Sequence, residues 1–197
     1  MKNKETEEVY RHKREILSQL ETLSEQGLID LYYGDESKVS LEPCVPYAWQ
    51  FADEEVAMPS ESGSGLNCFA LLSRSNQAVI ETTEKTINSQ FVFDQLEEFS
   101  TKVQKLTVVV LDNASFHRSQ IIKERIEIWQ QRGLYIFYLP RYSPHLNIVE
   151  ILWRKLKYEW LAPADYLDKG NLFYQIRLAL TSVGQSLFIQ FSRFRYT

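Results

Sequence analysis

The chain has 197 residues, of which 44% are hydrophobic, 24% charged and 13% aromatic. That length suits one domain with enough apolar material for a core, and the composition excludes disorder over most of the chain. A formal net charge of −4 excludes a uniformly basic nucleic-acid binder and leaves only a local basic face for contact with phosphates.

Residues 1–8 are polar, and a helix is expected from about Val9 to Gln26. Ile16, Leu20 and Leu23 fall on one face, and Gly27 stands at the expected stop. Leu28–Gly34 reads as a strand running into Asp35-Glu36-Ser37. Residues 38–50 read as a second extended segment interrupted by Pro43 and Pro46, and residues 52–64 as a loop. Leu66–Leu72 and Ala78–Thr82 read as two further strands. A helix follows from Asn88 to about Val103, with Asn88 or Ser89 as its cap and Val92, Leu96, Phe99 and Val103 on one face.

Thr107–Leu111 is continuously apolar and β-branched, the pattern of a central strand covered on both faces. Ser119–Arg132 reads as a helix stopped by Gly133, Leu134–Leu139 as a buried strand ended by Pro140, and Asn147–Trp160 as a helix. A last helix is expected over Gly170–Val183, with an extended or helical tail from Ser186. Antiparallel-style strands followed by strand–helix alternation imply an α/β fold: a mixed sheet with helices on both faces. Residues 1–26 are read as a leading helix or linker and 27–197 as the domain proper.

Cys44 and Cys68 form no CxxC pair and are read as small buried residues rather than zinc ligands or a disulfide. No apolar run reaches the ~18 residues of a membrane span, and no apolar signal region follows the charged N-terminus. A cytoplasmic location without membrane attachment is therefore expected.

Three acids stand out by position. Asp35 is expected at the end of the first strand, Asp112 closes the most apolar strand, and Glu150 lies in the first turn of a helix. A carboxylate at a buried strand end is costly unless it is solvated, paired or bound to a cation. Carboxylates gathered at one sheet edge suit hard divalent cations, Mg2+ or Mn2+. Taken singly, each has an ordinary alternative: a turn acid for Asp35, an Asx-type turn for Asp112, a helix-dipole partner for Glu150. Alternation along a strand turns Asp35 and Glu36 to opposite faces, so only one of them can meet the other two acids.

The words around these acids carry more weight. Leu111-Asp112-Asn113-Ala114-Ser115-Phe116-His117 resembles the second-aspartate motif of DDE transposases of the Tc/mariner superfamily. Leu139-Pro140-Arg141-Tyr142-Ser143-Pro144-His145-Leu146-Asn147-Ile148-Val149-Glu150-Ile151-Leu152-Trp153 looks like the third-acid motif, and Asp112 and Glu150 are 38 positions apart, as in bacterial insertion-sequence members. Gly34-Asp35-Glu36-Ser37 is similar to the first-aspartate motif, and Tyr47-Ala48-Trp49-Gln50 to the segment that follows it. Lys38-Val39 departs from the pattern. The resemblance implies an RNase H-like fold with Asp35, Asp112 and Glu150 as catalytic metal ligands. It implies Mg2+ as cofactor, with Mn2+ substituting, and DNA cleavage and strand transfer in cut-and-paste transposition.

Around the acids, Asn113, His117, Arg118, Arg154, Lys155 and Lys157 are candidate DNA contacts. Arg154 and Lys157 fall on the helical face of Glu150. Lys123 and Arg125 extend a basic group after Asp112. Asn147 is read as a helix cap, Pro140 and Pro144 as stiffeners, and Trp153 and Trp160 as core residues rather than base-stacking ones. About thirty residues precede the Asp35 strand, too few for helix-turn-helix domains. DNA reading is therefore expected from a separate or frameshifted upstream frame. DNA ends and target are the expected partners, with a homodimer on DNA. Two other readings remain open: a catalytically silent remnant that binds DNA weakly, and a small-molecule metallophosphoesterase using Asp112, His117 and His145.

Overall fold

The computed structural model describes residues 4–42 and 65–192. The extended segment and loop expected over 43–64, the Tyr47–Gln50 motif and Cys44 lie outside the described residues. A helix α1 (Lys4–Glu25) leads into β1 (Asp30–Ser40). Next come β2 (Gly65–Leu72), β3 (Ala78–Thr83), α2 (Ser89–Lys102), β4 (Thr107–Leu111), α3 (Gln120–Gln131), β5 (Leu134–Tyr138), α4 (Val149–Lys155) and α5 (Lys169–Thr181).

The strands form one sheet in the order β3-β2-β1-β4-β5. β1, β2 and β3 pair antiparallel, while β1, β4 and β5 pair in parallel. The mixed sheet expected from the sequence is therefore present. The parallel half needs crossovers, and α2 and α3 supply helical ones.

Helices cover both faces, which is why β4 is buried along its whole length. On one face Val92, Leu96 and Phe99 of α2 and Ile122 and Trp129 of α3 pack on Phe69, Leu71, Val109 and Leu111. On the other, Leu17 of α1, Leu152 and Trp153 of α4, and Leu172 and Ile176 of α5 pack on Leu31, Tyr33, Val108 and Val110. Each such aliphatic burial stabilises the fold by about 1.5–3 kcal/mol. Polar ties hold α1 in place: Tyr33 donates its hydroxyl to buried Glu21, and Arg74 pairs with Glu21 at 2.6 Å. No helix among the described residues is long and apolar enough to cross a membrane.

Several boundaries follow the sequence closely. Asn88 accepts from the Phe91 amide at 3.0 Å and caps α2. Gly133 ends α3 with φ +87°, a conformation open to glycine. Two elements differ. β1 does not end at Gly34 but continues to Ser40, because β2 pairs with it from Tyr33 through Ser40. The helix expected to reach Trp160 is regular only to Lys155, and a π turn spans Leu156–Trp160.

Candidate active site

The parallel pairing of β1 with β4 ends at Tyr33 opposite Val110. Asp35 and Asp112 each lie two positions beyond that pair, so both reach the same level of the sheet edge. Gly34 lets the two strands stay close here: a Cβ on it would stand 2.5 Å from Leu111 Cδ2 and 3.0 Å from Leu71 Cδ2. Alternation carries Asp35 to the α4 face and Glu36 to the opposite face.

Glu150 arrives from the first turn of α4. Asn147 anchors that turn from one position outside the helix cap. Its Oδ1 accepts from the Val149 amide at 3.1 Å, and its Nδ2 donates to the Gly34 carbonyl at 3.0 Å. The same side chain thus starts α4 and fastens it to β1 beside Asp35. Asp35, Asp112 and Glu150 line one cavity of about 490 Å³, together with Asn113, Arg141 and Tyr142.

The acids are electrostatically unequal. The Asp35 carboxyl is pushed up to about 7, first by burial and then by the neighbouring Glu36 and Glu150 carboxylates. The Trp153 indole N–H, donated to Asp35 Oδ2 at 3.0 Å, opposes that shift. Asp112 is held below the usual carboxylate range, chiefly by its hydrogen bond with His117, against the effect of burial. Its Oδ1 lies 2.7 Å from His117 Nδ1 and accepts from the Ala114 amide at 2.8 Å.

His117 is wholly buried. Burial alone would lower its pKa, but the bond to Asp112 and the nearby Glu36 carboxylate raise it to about 9. Its Nε2 is 3.4 Å from Glu36 Oε2. That is an ion-pair contact rather than a hydrogen bond, and neither atom has a hydrogen-bond partner among the described residues. The imidazolium therefore braces the Asp112 loop against β1 from the face opposite Asp35.

The candidate DNA contacts separate into three groups. Asn113 lines the cavity, but it is engaged structurally: its amide donates to the Leu139 carbonyl and its oxygen accepts from Arg118 at 3.1 Å. Arg118 is exposed and lies over the Tyr138 ring. Arg154 is exposed, has no ion pair among the described residues, and lines a second cavity of about 690 Å³ that shares Pro144, Asn147 and Glu150 with the first.

The third group requires correction at His117. His117 offers DNA no surface because its ring is enclosed. Lys155 pairs with Glu159 at 2.6 Å, the ordinary i,i+4 contact. Lys157 follows the break into the π turn, lies near Cys68 of β2, and lines neither cavity. Arg125 is held by Glu97 of α2 at 2.5 Å. The metallophosphoesterase reading also loses its geometry. His145 lines the second cavity, 3.0 Å from the Tyr10 hydroxyl, while His117 is committed to Asp112 and Glu36.

Sequence reading missed the hydrogen bond from Trp153 to Asp35, the Glu36–His117 contact, and the placement of Arg141 and Tyr142 at the cavity. Arg141 and Tyr142 stood inside the third-acid motif, so their position was the available signal.

Residues 30–172 match the family model described as DDE superfamily endonuclease. The chain belongs to that family. No curated protein matches it in sequence. Among solved structures, this endonuclease domain is similar to the catalytic domain of Mos1 mariner transposase. The TM-score is 0.52 at 15% identity, over 95% of this chain and 98% of that one. The Mos1 strand transfer complex gives 0.53 at 15% identity over 95% of this chain, which spans 64% of that longer one. A simian T-cell lymphotropic virus intasome gives 0.56 at 12% identity, over 85% of this chain and 52% of that one. Those likenesses establish the RNase H-like fold: a five-stranded mixed sheet flanked by helices.

Proposed function

We propose that this endonuclease domain cleaves DNA and transfers the resulting 3'-hydroxyl to a target in cut-and-paste transposition. Asp35, Asp112 and Glu150 are the catalytic residues in this reading. The observation that carries it is the meeting of the three carboxylates in one cavity, two of them in register two positions past the Tyr33–Val110 pair.

Mg2+, with Mn2+ as substitute, fits the donor set in kind. All three donors are hard carboxylate oxygens, and burial together with the neighbouring Glu36 and Glu150 carboxylates makes the Asp35 charge costly without a cation. In spacing, no three His, Cys, Asp or Glu side chains among the described residues stand close enough to enclose one ion. Solved Mos1 paired end complexes with Mg and with Mn support this choice of ion. Such ions activate a hydroxyl and stabilise the leaving oxygen of a phosphodiester. The protein's own part is placement. Trp153 orients Asp35, His117 fixes Asp112, and Asn147 sets Glu150 against β1.

DNA is the substrate and partner in this proposal, with phosphates held by Arg118 and Arg154 beside the cavity. A helix-turn-helix module for reading the element ends, a homodimer on DNA, and residues 27–197 as the catalytic unit belong to the same proposal. Incubating the full chain with supercoiled plasmid tests it. Nicking in Mn2+ and Mg2+, lost in Asp112→Asn, is expected. Absence of nicking at high protein and metal concentrations would favour the silent-remnant reading.

A further inference from the structure

Tyr142 is the most exposed large hydrophobic side chain among the described residues, 97% open to solvent, and it lines the carboxylate cavity. Its backbone is left-handed, with φ +58°. Only Asn76 shares that conformation among the described non-glycine residues, and Asn tolerates it far better than an aromatic residue does. A tyrosine in this position costs on the order of 1–2 kcal/mol in backbone energy. Exposing the whole ring forgoes the burial that would offset it. Among the described residues Tyr142 has no hydrogen bond, ring contact or ion pair to offset either expense, although its neighbours Ser143 and Leu146 are buried.

Arg141 stands beside it, exposed and lining the same cavity. Three carboxylates line that cavity with it, yet the guanidinium pairs with none of them and makes no other hydrogen bond among the described residues. Pro140 and Pro144 bracket the segment, and Asn113 is bonded to the Leu139 carbonyl just before it. The two side chains are thus presented from a stiffened loop.

An exposed aromatic plane and a guanidinium unpaired among the described residues, adjacent in the lining of an acidic cavity, match the chemistry of a nucleotide. The ring offers a stacking face for a base, and the guanidinium offers donors for the adjoining phosphate. A base inside a duplex has its faces covered by its neighbours, so the occupant must be unstacked. We propose that Arg141 and Tyr142 form a binding site for one unpaired nucleotide next to the bond to be cut. Tyr142 stacks on the base and Arg141 holds its phosphate, so that the strand is fixed over the carboxylates. This deepens the endonuclease reading and rests on it for the identity of the bond.

The test uses the full chain in Ca2+ with two fluorescent oligonucleotides of equal length. One is a blunt duplex, and the other carries a short single-stranded overhang containing 2-aminopurine. Wild type is expected to prefer the overhang and to quench the 2-aminopurine. Tyr142→Ala should lose roughly tenfold in overhang affinity together with the quenching, and Tyr142→Phe should keep both. Arg141→Ala should weaken both DNAs and reduce the salt dependence by about one phosphate contact. Equal affinity of wild type for both DNAs, no detectable binding, or unchanged quenching in Tyr142→Ala overturns the site. Metal-dependent nicking by the same preparations is scored separately. Nicking with no overhang preference sinks this inference alone, whereas overhang binding lost in Tyr142→Ala without any nicking sinks the nuclease reading alone.

Discussion

The Trp153 indole N–H meets Asp35 Oδ2 at 3.0 Å, joining the helix that carries Glu150 to the strand that carries the first aspartate. The bond favours the ionised carboxylate and works against the burial that raises its pKa. In Trp153→Phe the ring still fills most of the core site, so stability should fall by only about 1 kcal/mol. Asp35 should become harder to ionise. The expected signature is a nicking activity that needs severalfold more Mn2+ for half-saturation while its maximal rate is largely kept.

In the absence of metal, Asp35 should make stability fall as pH rises. Its folded pKa, about 7, lies above the ordinary 3.8, so the folded state holds the proton more tightly than the unfolded state between those values. The stabilisation is complete below about pH 4 and lost as pH rises through 7. Asp35→Asn removes this dependence. It should stabilise the metal-free protein by roughly 2 kcal/mol at pH 8 and progressively less toward pH 4, as read by urea unfolding. Mn2+ should narrow the gap at pH 8 by stabilising the wild type alone.

His117 has the opposite chemistry and the same direction. Its folded pKa of about 9 exceeds the ordinary 6.5, so its contribution is complete below 6.5 and lost as pH rises through 9. His117→Ala leaves Asp112 and Glu36 without their shared cation and should cost about 3 kcal/mol at pH 6. The difference from wild type should shrink by pH 10. Because the ring is enclosed, the variant's salt dependence of DNA binding should equal that of the wild type.

Far from the cavity, Glu97 gathers Arg125, Arg132 and the Trp129 indole, and these hold its carboxyl down at about 2. The Arg125 hydrogen bond contributes most, with burial opposing it. A depressed carboxyl stabilises above its unfolded pKa, near 4.5, and loses that contribution as pH falls through 2. Glu97→Gln should cost about 1.5–3 kcal/mol at pH 7, with the difference narrowing between pH 4.5 and 2 in denaturant titrations.

How much of this was legible in the chain depended on the range of the interaction. β4 could be read directly, because Thr107–Leu111 is uniformly apolar and its burial on both faces leaves no alternation to confuse. The α2 cap could be read because Asn88 and Phe91 are three positions apart. The second half of β1 could not. Asp35, Glu36, Ser37 and Lys38 look like a turn until β2 pairs with them. The pairing of His117 with Glu36 and of Arg125 with Glu97 was equally hidden. Local spacing made each cation look free, and only tertiary packing supplied its partner. The motif words singled out three acids that line one cavity, and the register of β1 against β4 explains why two of them reach the same level of the sheet edge.

Electron paramagnetic titration of Mn2+ into the full chain tests the central claim, that Asp35, Asp112 and Glu150 share divalent cations. Wild type should bind Mn2+ at neutral pH, and Asp35→Asn, Asp112→Asn and Glu150→Gln should each weaken that binding at least tenfold while remaining folded. Unchanged Mn2+ affinity in all three variants would contradict the account.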